Sequence, residues 1–236
     1  MRIDPFPKFS EAFGNAVSNP RIALFSIVMT KICVDRIYNF AKVVNPNGAL
    51  DTSGNETLDI LEYQRPWTSE EVYGYLTSYG VKGRIAYQSL IMYDCGFLLF
   101  RTLPICLLIH WAFSSAPRYS RPGVWLPLLS TFVDLLENMM IWFLIKLYPQ
   151  RFNSLAQWTA WVIQLKWILL WLTVGLVCIS GLVGIYYSFH NMLASSVLLE
   201  KDRQDKLRAR RHVTDVLERT GKTKASKASS SDKKKL

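Results

Sequence analysis

Apolar residues along the chain gather into four long blocks, and the charged residues collect between these blocks and at the C-terminal end. A helix of about 20 apolar residues is long enough to cross the hydrocarbon core of a bilayer. The blocks lack the period-2 alternation of strands, and a backbone in lipid must satisfy its own hydrogen bonds, so helices are expected. The pattern predicts an all-α, polytopic membrane protein with four transmembrane helices. The predicted spans are approximately residues 21–44, 87–113, 124–148 and 158–190.

The N-terminal segment, residues 1–20, has an amphipathic pattern and no cleavable signal sequence. Phe6, Phe9, Phe13 and Val17 recur at steps of three and four residues, which places them on one face of a helix. This pattern predicts a short helix that lies in the membrane interface.

A polar loop, residues 45–86, follows the first block and contains six acidic and three basic residues. Thr68 and Glu71 have the spacing of a capping box, in which each side chain bonds to the backbone at a helix start. We therefore expect a short surface helix from about Thr68 to Tyr79, closed by Gly80.

The C-terminal end carries much of the net charge of +10, with 13 basic and six acidic residues in 200–236. Residues 191–220 are predicted to continue the fourth span as a cytosolic helix. Residues 221–236 are rich in Ser and Lys and lack aromatic residues, which is typical of a disordered basic tail. Such a tail is usually solvated, or drawn to anionic lipid. Because most of the net charge lies at this end, a nucleic-acid partner ranks behind both readings, and none is expected.

The orientation follows from the positions of the basic residues, which favour the cytosolic side. Arg118 and Arg121 lie in the loop between the second and third spans, whereas the 45–86 loop is acidic. Both termini are therefore expected in the cytosol, and the 45–86 loop is expected in the lumen. Asn55 begins an N-glycosylation sequon in this luminal loop.

The last four residues read Lys-Lys-Lys-Leu, and this ending resembles the dilysine retrieval signal of endoplasmic reticulum membrane proteins. Lys233 and Lys234 stand at the fourth and third positions from the end, as that signal requires. Since such a signal is read by a receptor in the cytosol, it predicts residence in the endoplasmic reticulum membrane.

Charged side chains inside the apolar blocks are the most informative feature of the sequence. They are costly in lipid and usually pair within the bundle interior. Each predicted span places polar groups at a similar depth. In the first span these are Lys31, Asp35 and Arg36, and in the fourth Gln164 lies near Lys166.

The candidate intramembrane cluster comes from the later three spans. Residues 134, 137 and 138 share one helix face, and residues 94 and 101 share another. The cluster could be an ion network that fixes helix packing, a polar cavity for a lipid headgroup, or part of a conduction path. Its members are Asp94, Arg101, Asp134, Glu137, Asn138 and Lys166.

The sequence contains no recognisable site for a metal or a cofactor. Its four cysteines lie in apolar segments without metal-ligand spacing, so they read as small buried residues. A disulfide between Cys33 and Cys95 is a minor alternative, because both fall in the same half of the bilayer. No nucleotide-binding glycine loop or nucleophile elbow is present.

Three groups of residues resemble a family of small multi-pass membrane proteins of unassigned function. The first group is Tyr79-Gly80, Gly83-Arg84, Tyr87 and Asp94. The second is Leu126-Pro127-Leu128, then Asp134-Leu135-Leu136-Glu137-Asn138 and Tyr148-Pro149, and the third is Lys166-Trp167. The resemblance covers about residues 58–177. It implies a membrane-embedded helical fold and no particular activity.

Two hypotheses of function remain open. The first is a non-catalytic subunit or scaffold in the endoplasmic reticulum membrane, with a membrane protein partner or a lipid ligand. The alternative is an intramembrane enzyme that acts on a lipid headgroup from the luminal side with Asp134, Glu137 and Lys166. The sequence selects no reaction, so no catalytic residue is assigned.

Overall fold

A computed structural model describes residues 4–45, 60–114, 116 and 120–232, and this part of the chain is helical without strands. The all-α class is therefore confirmed. Asn55, Lys233 and Lys234 lie outside the described residues. The seven helices of the described part are α1 (Pro7–Val17), α2 (Pro20–Val44), α3 (Leu61–Gln64), α4 (Ser69–Ser78), α5 (Gly80–Ala112), α6 (Trp125–Leu147) and α7 (Asn153–Asp232).

Three of these helices, α5, α6 and α7, are long and apolar enough to cross a membrane. A fourth span exists only if α1 and α2, which bend by 81° at their junction, are counted together. Helix α2 covers the expected first span but does not qualify alone, because Lys31, Asp35 and Arg36 interrupt its apolar residues. The structure therefore has three or four candidate spans, a range that includes the four predicted.

The expected surface helix is present as α4, with the predicted Thr68 cap formed and the Glu71 bond shifted by one residue, to Trp67. The Thr68 hydroxyl accepts a hydrogen bond from the Glu71 N–H at 3.3 Å, and the Glu71 carboxylate accepts one from the Trp67 N–H at 2.8 Å. Helix α5 then begins at Gly80, seven residues before the predicted start of its span. The Gly80 backbone has a φ of 63°, which only glycine adopts readily, so the chain can turn between α4 and α5 without a loop.

The chain divides into two compact units, Met1–Gly184 and Ile185–Leu236. In the second unit α7 remains helical through Asp232, which differs from the expected disorder after residue 220. The segment contains no proline, and its lysines and alanines are good helix formers, whereas its one glycine and its serines are weaker ones. Lys206 and Asp202 form an exposed i,i+4 ion pair at 2.7 Å in this unit.

The hydrophobic core of the first unit lies where α3 and α4 pack against the ends of the longer helices. It includes Leu61, Leu76, Tyr87, Leu144 and Ile163, all fully buried. Further along the helices, the hydroxyls of residues 102 and 131 bond to each other between α5 and α6. Hydroxyl pairs of this kind hold helices together where no hydrophobic force acts.

Large apolar side chains cover the outer surface of the helices, as expected for contact with lipid. Met92, Phe132 and Trp171 are each more than 60% exposed. Helix α1 also presents large apolar side chains outward. Phe9 and the preceding Phe6 are exposed, while the smaller residues of α1 face the protein. The apolar helices and their exposed faces therefore suit a lipid bilayer.

Candidate functional site

The structure brings all six members of the predicted intramembrane cluster together between α5, α6 and α7. Arg101 on α5 donates to Asp134 on α6 at 2.9 Å. Lys166 on α7 forms an ion pair with Glu137 on α6, with 3.0 Å between Nζ and Oε2. The cluster is completed by a hydrogen bond of 2.6 Å from the Asn138 amide to the Asp94 carboxylate.

Helical periodicity explains why one face of α6 supplies three of these side chains. Residues three and four apart lie on the same side of a helix. Asp134, Glu137 and Asn138 are all buried, and they reach three different partners on the two neighbouring helices. The cluster therefore joins α5, α6 and α7 through polar contacts.

Glu62 on the short helix α3 is a member of the cluster that the sequence did not single out. Its carboxylate accepts a hydrogen bond from Lys166, and its backbone carbonyl accepts one from the Trp167 ring nitrogen at 3.1 Å. The adjacent Lys166 and Trp167 thus hold the same residue. Glu62 is one of six acidic residues in its loop, and no spacing sets it apart, so only the fold reveals its role.

Two aromatic contacts surround Glu62. The Arg65 guanidinium lies 4.0 Å from the centroid of the Trp167 ring, and the Tyr63 ring meets the same ring edge-on at 5.8 Å. Partial burial raises the pKa of Tyr63, and the negative charge of Glu62 raises it further, so its hydroxyl stays neutral. The loop is thereby tied to the start of α7 at several points.

The polar residues of α2 do not belong to the cluster, although the sequence places them at a similar depth in the first predicted span. Lys31 and Asp35 pair with each other at 2.7 Å, with side chains 74% and 57% exposed. Arg36 is exposed as well. Because an i,i+4 pair on one helix satisfies itself, these charges need no partner on another helix. Gln164 is also outside the cluster, since its amide donates to the loop carbonyls of residues 65 and 66.

A cavity of about 180 Å³, here called the charged cavity, opens beside the cluster. Three carboxylates and two cations line it, together with aromatic and aliphatic side chains of α2, α5 and α7. The charged members are Glu62, Asp94, Arg101, Asp134 and Lys166.

Several acidic oxygens at this site lack a hydrogen-bond donor among the described residues. Asp134 Oδ1 is buried without one, although Oδ2 is held by Arg101. Glu137 is fully buried, and its contact with Lys166 is an ion pair without hydrogen-bond geometry. Buried oxygens without a donor are unfavourable, so these carboxylates are under-satisfied by the protein itself.

A second cavity of about 280 Å³, here called the apolar cavity, shares part of its lining with the charged one. Arg101 and Leu170 line both cavities. The remaining lining comes mostly from apolar and hydroxyl side chains of α5, α6 and α7. Val174 and Cys178 line it and are exposed, so this cavity opens to the outer surface of the helices.

The cysteines are unpaired, including Cys33 and Cys95, so the alternative of a disulfide between them is wrong. Cys33 packs beside Gly96 instead. Cys178 is exposed, which differs from its expected burial, because it faces outward from α7. Within the described ranges, no three His, Cys, Asp or Glu side chains are arranged to hold a metal ion.

Comparison with known protein families, with curated proteins and with solved structures finds no match to this chain.

Proposed function

We propose that this chain is a non-catalytic, multi-pass membrane protein that binds one lipid molecule among its spans. The headgroup would occupy the charged cavity, and a hydrocarbon chain would occupy the apolar cavity. The observation that carries this proposal is that the charged and the apolar cavity share Arg101 and Leu170 as lining residues. A polar cavity beside an apolar one fits a molecule with a polar and an apolar end, and binding sites commonly lie between helices of a bundle.

The dimensions of α7 support this assignment. Lys166 lies at the charged cavity, and Cys178 lies at the far end of the apolar cavity. Twelve residues of helix rise about 18 Å. Half of a bilayer core is about 15 Å thick. The two cavities together therefore have the length of a lipid in a single leaflet.

Binding accounts for the arrangement better than catalysis with Asp134, Glu137 and Lys166. Glu137 is fully buried and does not line the charged cavity. Lys166 is held by two carboxylates, and Asp134 is held by Arg101. A general acid or base must come within hydrogen-bond reach of its substrate, and Glu137 has no access to one.

A pair of tryptophan substitutions on α7 tests the proposal. Leu170→Trp should fill the junction between the cavities, whereas Leu172→Trp adds the same side chain where Leu172 is 55% exposed. We expect lipid that copurifies with the protein, measured by mass spectrometry, to fall at least about fivefold in Leu170→Trp only. Equal lipid content in wild type and both variants would contradict the proposal.

The cellular setting is a further part of the proposal. We place the protein in the endoplasmic reticulum membrane, with both termini cytosolic and Lys233 and Lys234 acting as a retrieval signal. Replacing both lysines by serine should move the protein to later compartments in fluorescence images. A wild-type protein found at the cell surface would rule out retrieval.

A membrane protein partner is compatible with lipid binding, because much of the outer helix surface is apolar. Affinity purification in mild detergent would detect one. A partner in constant stoichiometry would define the chain as a subunit, and its absence would leave a protein that binds lipid alone.

A further inference from the structure

The charges around the charged cavity do not balance. Four carboxylates meet here, those of Glu62, Asp94, Asp134 and Glu137. The paired cations are Lys166, which serves two of the carboxylates, and Arg101, which serves one. A buried charge without a partner is strongly unfavourable, so the surplus requires compensation.

Asp94 is the carboxylate that lacks a cation. Its side chain is buried and lines the charged cavity. The Asn138 amide donates to Oδ2, but no ion pair to Asp94 occurs in the described part of the chain. An amide supplies a dipole and no net charge, so this hydrogen bond leaves the negative charge in place.

Asp134 adds a second point of attraction on the same cavity. The residue is 1% exposed, and its Oδ1 has no hydrogen-bond donor among the described residues. Asp94 and Asp134 both line the cavity, so together they place negative charge beside whatever occupies it. Arg65 cannot supply the missing charge there, because it stacks on Trp167 and does not line the cavity.

We infer that the bound lipid places an ammonium group in the charged cavity, held by Asp94 and Asp134. This inference rests on the proposed lipid binding and specifies the chemistry of the headgroup. A primary ammonium carries one positive charge and three donors, which match a carboxylate without a cation and an oxygen without a donor. A phosphate or carboxylate at the same place would meet three acidic side chains, and the two cations of the cavity are already paired with carboxylates, so an anion would find no free cation there.

A series of single-chain probes with one hydrocarbon tail tests the headgroup. Hexadecylamine, hexadecanol and palmitate would be titrated into the full chain in detergent, and bound molecules counted by native mass spectrometry. We expect one amine per chain, bound at least tenfold more tightly than the alcohol, and no palmitate binding.

Two matched substitutions locate the effect. Asp94→Asn keeps the side-chain shape and can still accept from Asn138, so it should remove the preference for amine over alcohol. Asp35→Asn makes the same change at an exposed pair on α2 and should leave the preference intact. If Asp94→Asn does not fold, the wild-type probe series still decides the question.

Each outcome separates this inference from the proposed function. If all three probes bind alike and Leu170→Trp blocks them, lipid binding stands and the ammonium assignment is overturned. If no probe binds, both are overturned, and the surplus carboxylates are neutralised by protons. A tenfold preference for amine that Asp94→Asn does not change also overturns the assignment.

Discussion

Lys166 is the residue on which the buried charge of this protein most depends. Its ammonium group contacts the carboxylates of Glu62 and Glu137, which come from a loop helix and from a long helix. Loss of one member of a buried pair leaves the other unpaired, which in soluble proteins costs about 3–5 kcal/mol. Interhelical polar contacts in membranes are worth less, so the cost here should lie below that range.

Alanine substitutions at this ion pair have a clear expected order. Lys166→Ala should lower the melting temperature in detergent more than Glu137→Ala, because it leaves two carboxylates without their cation. The double variant should recover part of the loss, since Glu137 no longer needs a partner, while Glu62 still does. Lys31→Ala, at an exposed ion pair, serves as the control and should have little effect. If the losses in melting temperature of the two single variants simply add in the double variant, Lys166 and Glu137 do not contact each other.

At the scale of single residues, the sequence could predict which charges are buried on the later helices but not their full set of partners. Helical spacing alone places Asp134, Glu137 and Asn138 on one face. The similar depth of Lys31 and Asp35 could not show that these two charges pair with each other on α2 and need no other helix. Glu62 was missed because its position depends on how a loop folds back.

The contact between α2 and α5 shows how a small residue controls the packing of helices. A Cβ atom on Gly83 would collide with the backbone carbonyl of Val44, so α2 can approach α5 here only because residue 83 is glycine. The next residue, Arg84, donates to the Leu76 carbonyl at 2.9 Å and stacks over the Tyr148 ring. Residues 83 and 84 thus tie α5 to three other parts of the chain.

Two glycine-to-alanine substitutions test this packing. Gly83→Ala should destabilise the protein by about 1–3 kcal/mol, the usual cost of an added group in a tightly packed place. Gly74→Ala is the matched control on α4, where a Cβ meets nothing within 4 Å. It should be neutral or stabilising by about 0.4–1 kcal/mol. Thermal unfolding of both variants measures the difference, and a Gly83→Ala variant as stable as Gly74→Ala would refute the close approach.

At the scale of elements, the sequence predicted helices better than it predicted their ends. The span on α6 was placed closely, because its apolar residues stop where the helix does. The start of α5 was placed seven residues late, because residues 80–86 are too polar for a span and yet continue the helix. Helix α2 covers the predicted first span, but its charges make it a poor membrane helix by composition, so it does not qualify as a span alone.

The molecule as a whole is expected to place the two ends of its bundle on opposite sides of the membrane. The acidic loop with Asn55 should face the lumen, and the basic C-terminal end should face the cytosol. Asn55→Gln should abolish a glycosidase-sensitive shift on a gel, and a C-terminal tag should be digested by protease added to intact microsomes. A protected tag would contradict this orientation.

In the proposed complex, one lipid molecule runs from the charged cavity into the apolar cavity. The most direct measurement uses hexadecylamine with a photoreactive diazirine at the end of its tail, followed by peptide mapping. We expect crosslinks at Val177, which lines the apolar cavity, and a strong loss of them in Leu170→Trp. Ile179 lies at nearly the same depth but is 55% exposed on the outer surface. Crosslinks that fall mainly on Ile179 and persist in Leu170→Trp would show that the hydrocarbon tail does not occupy the apolar cavity.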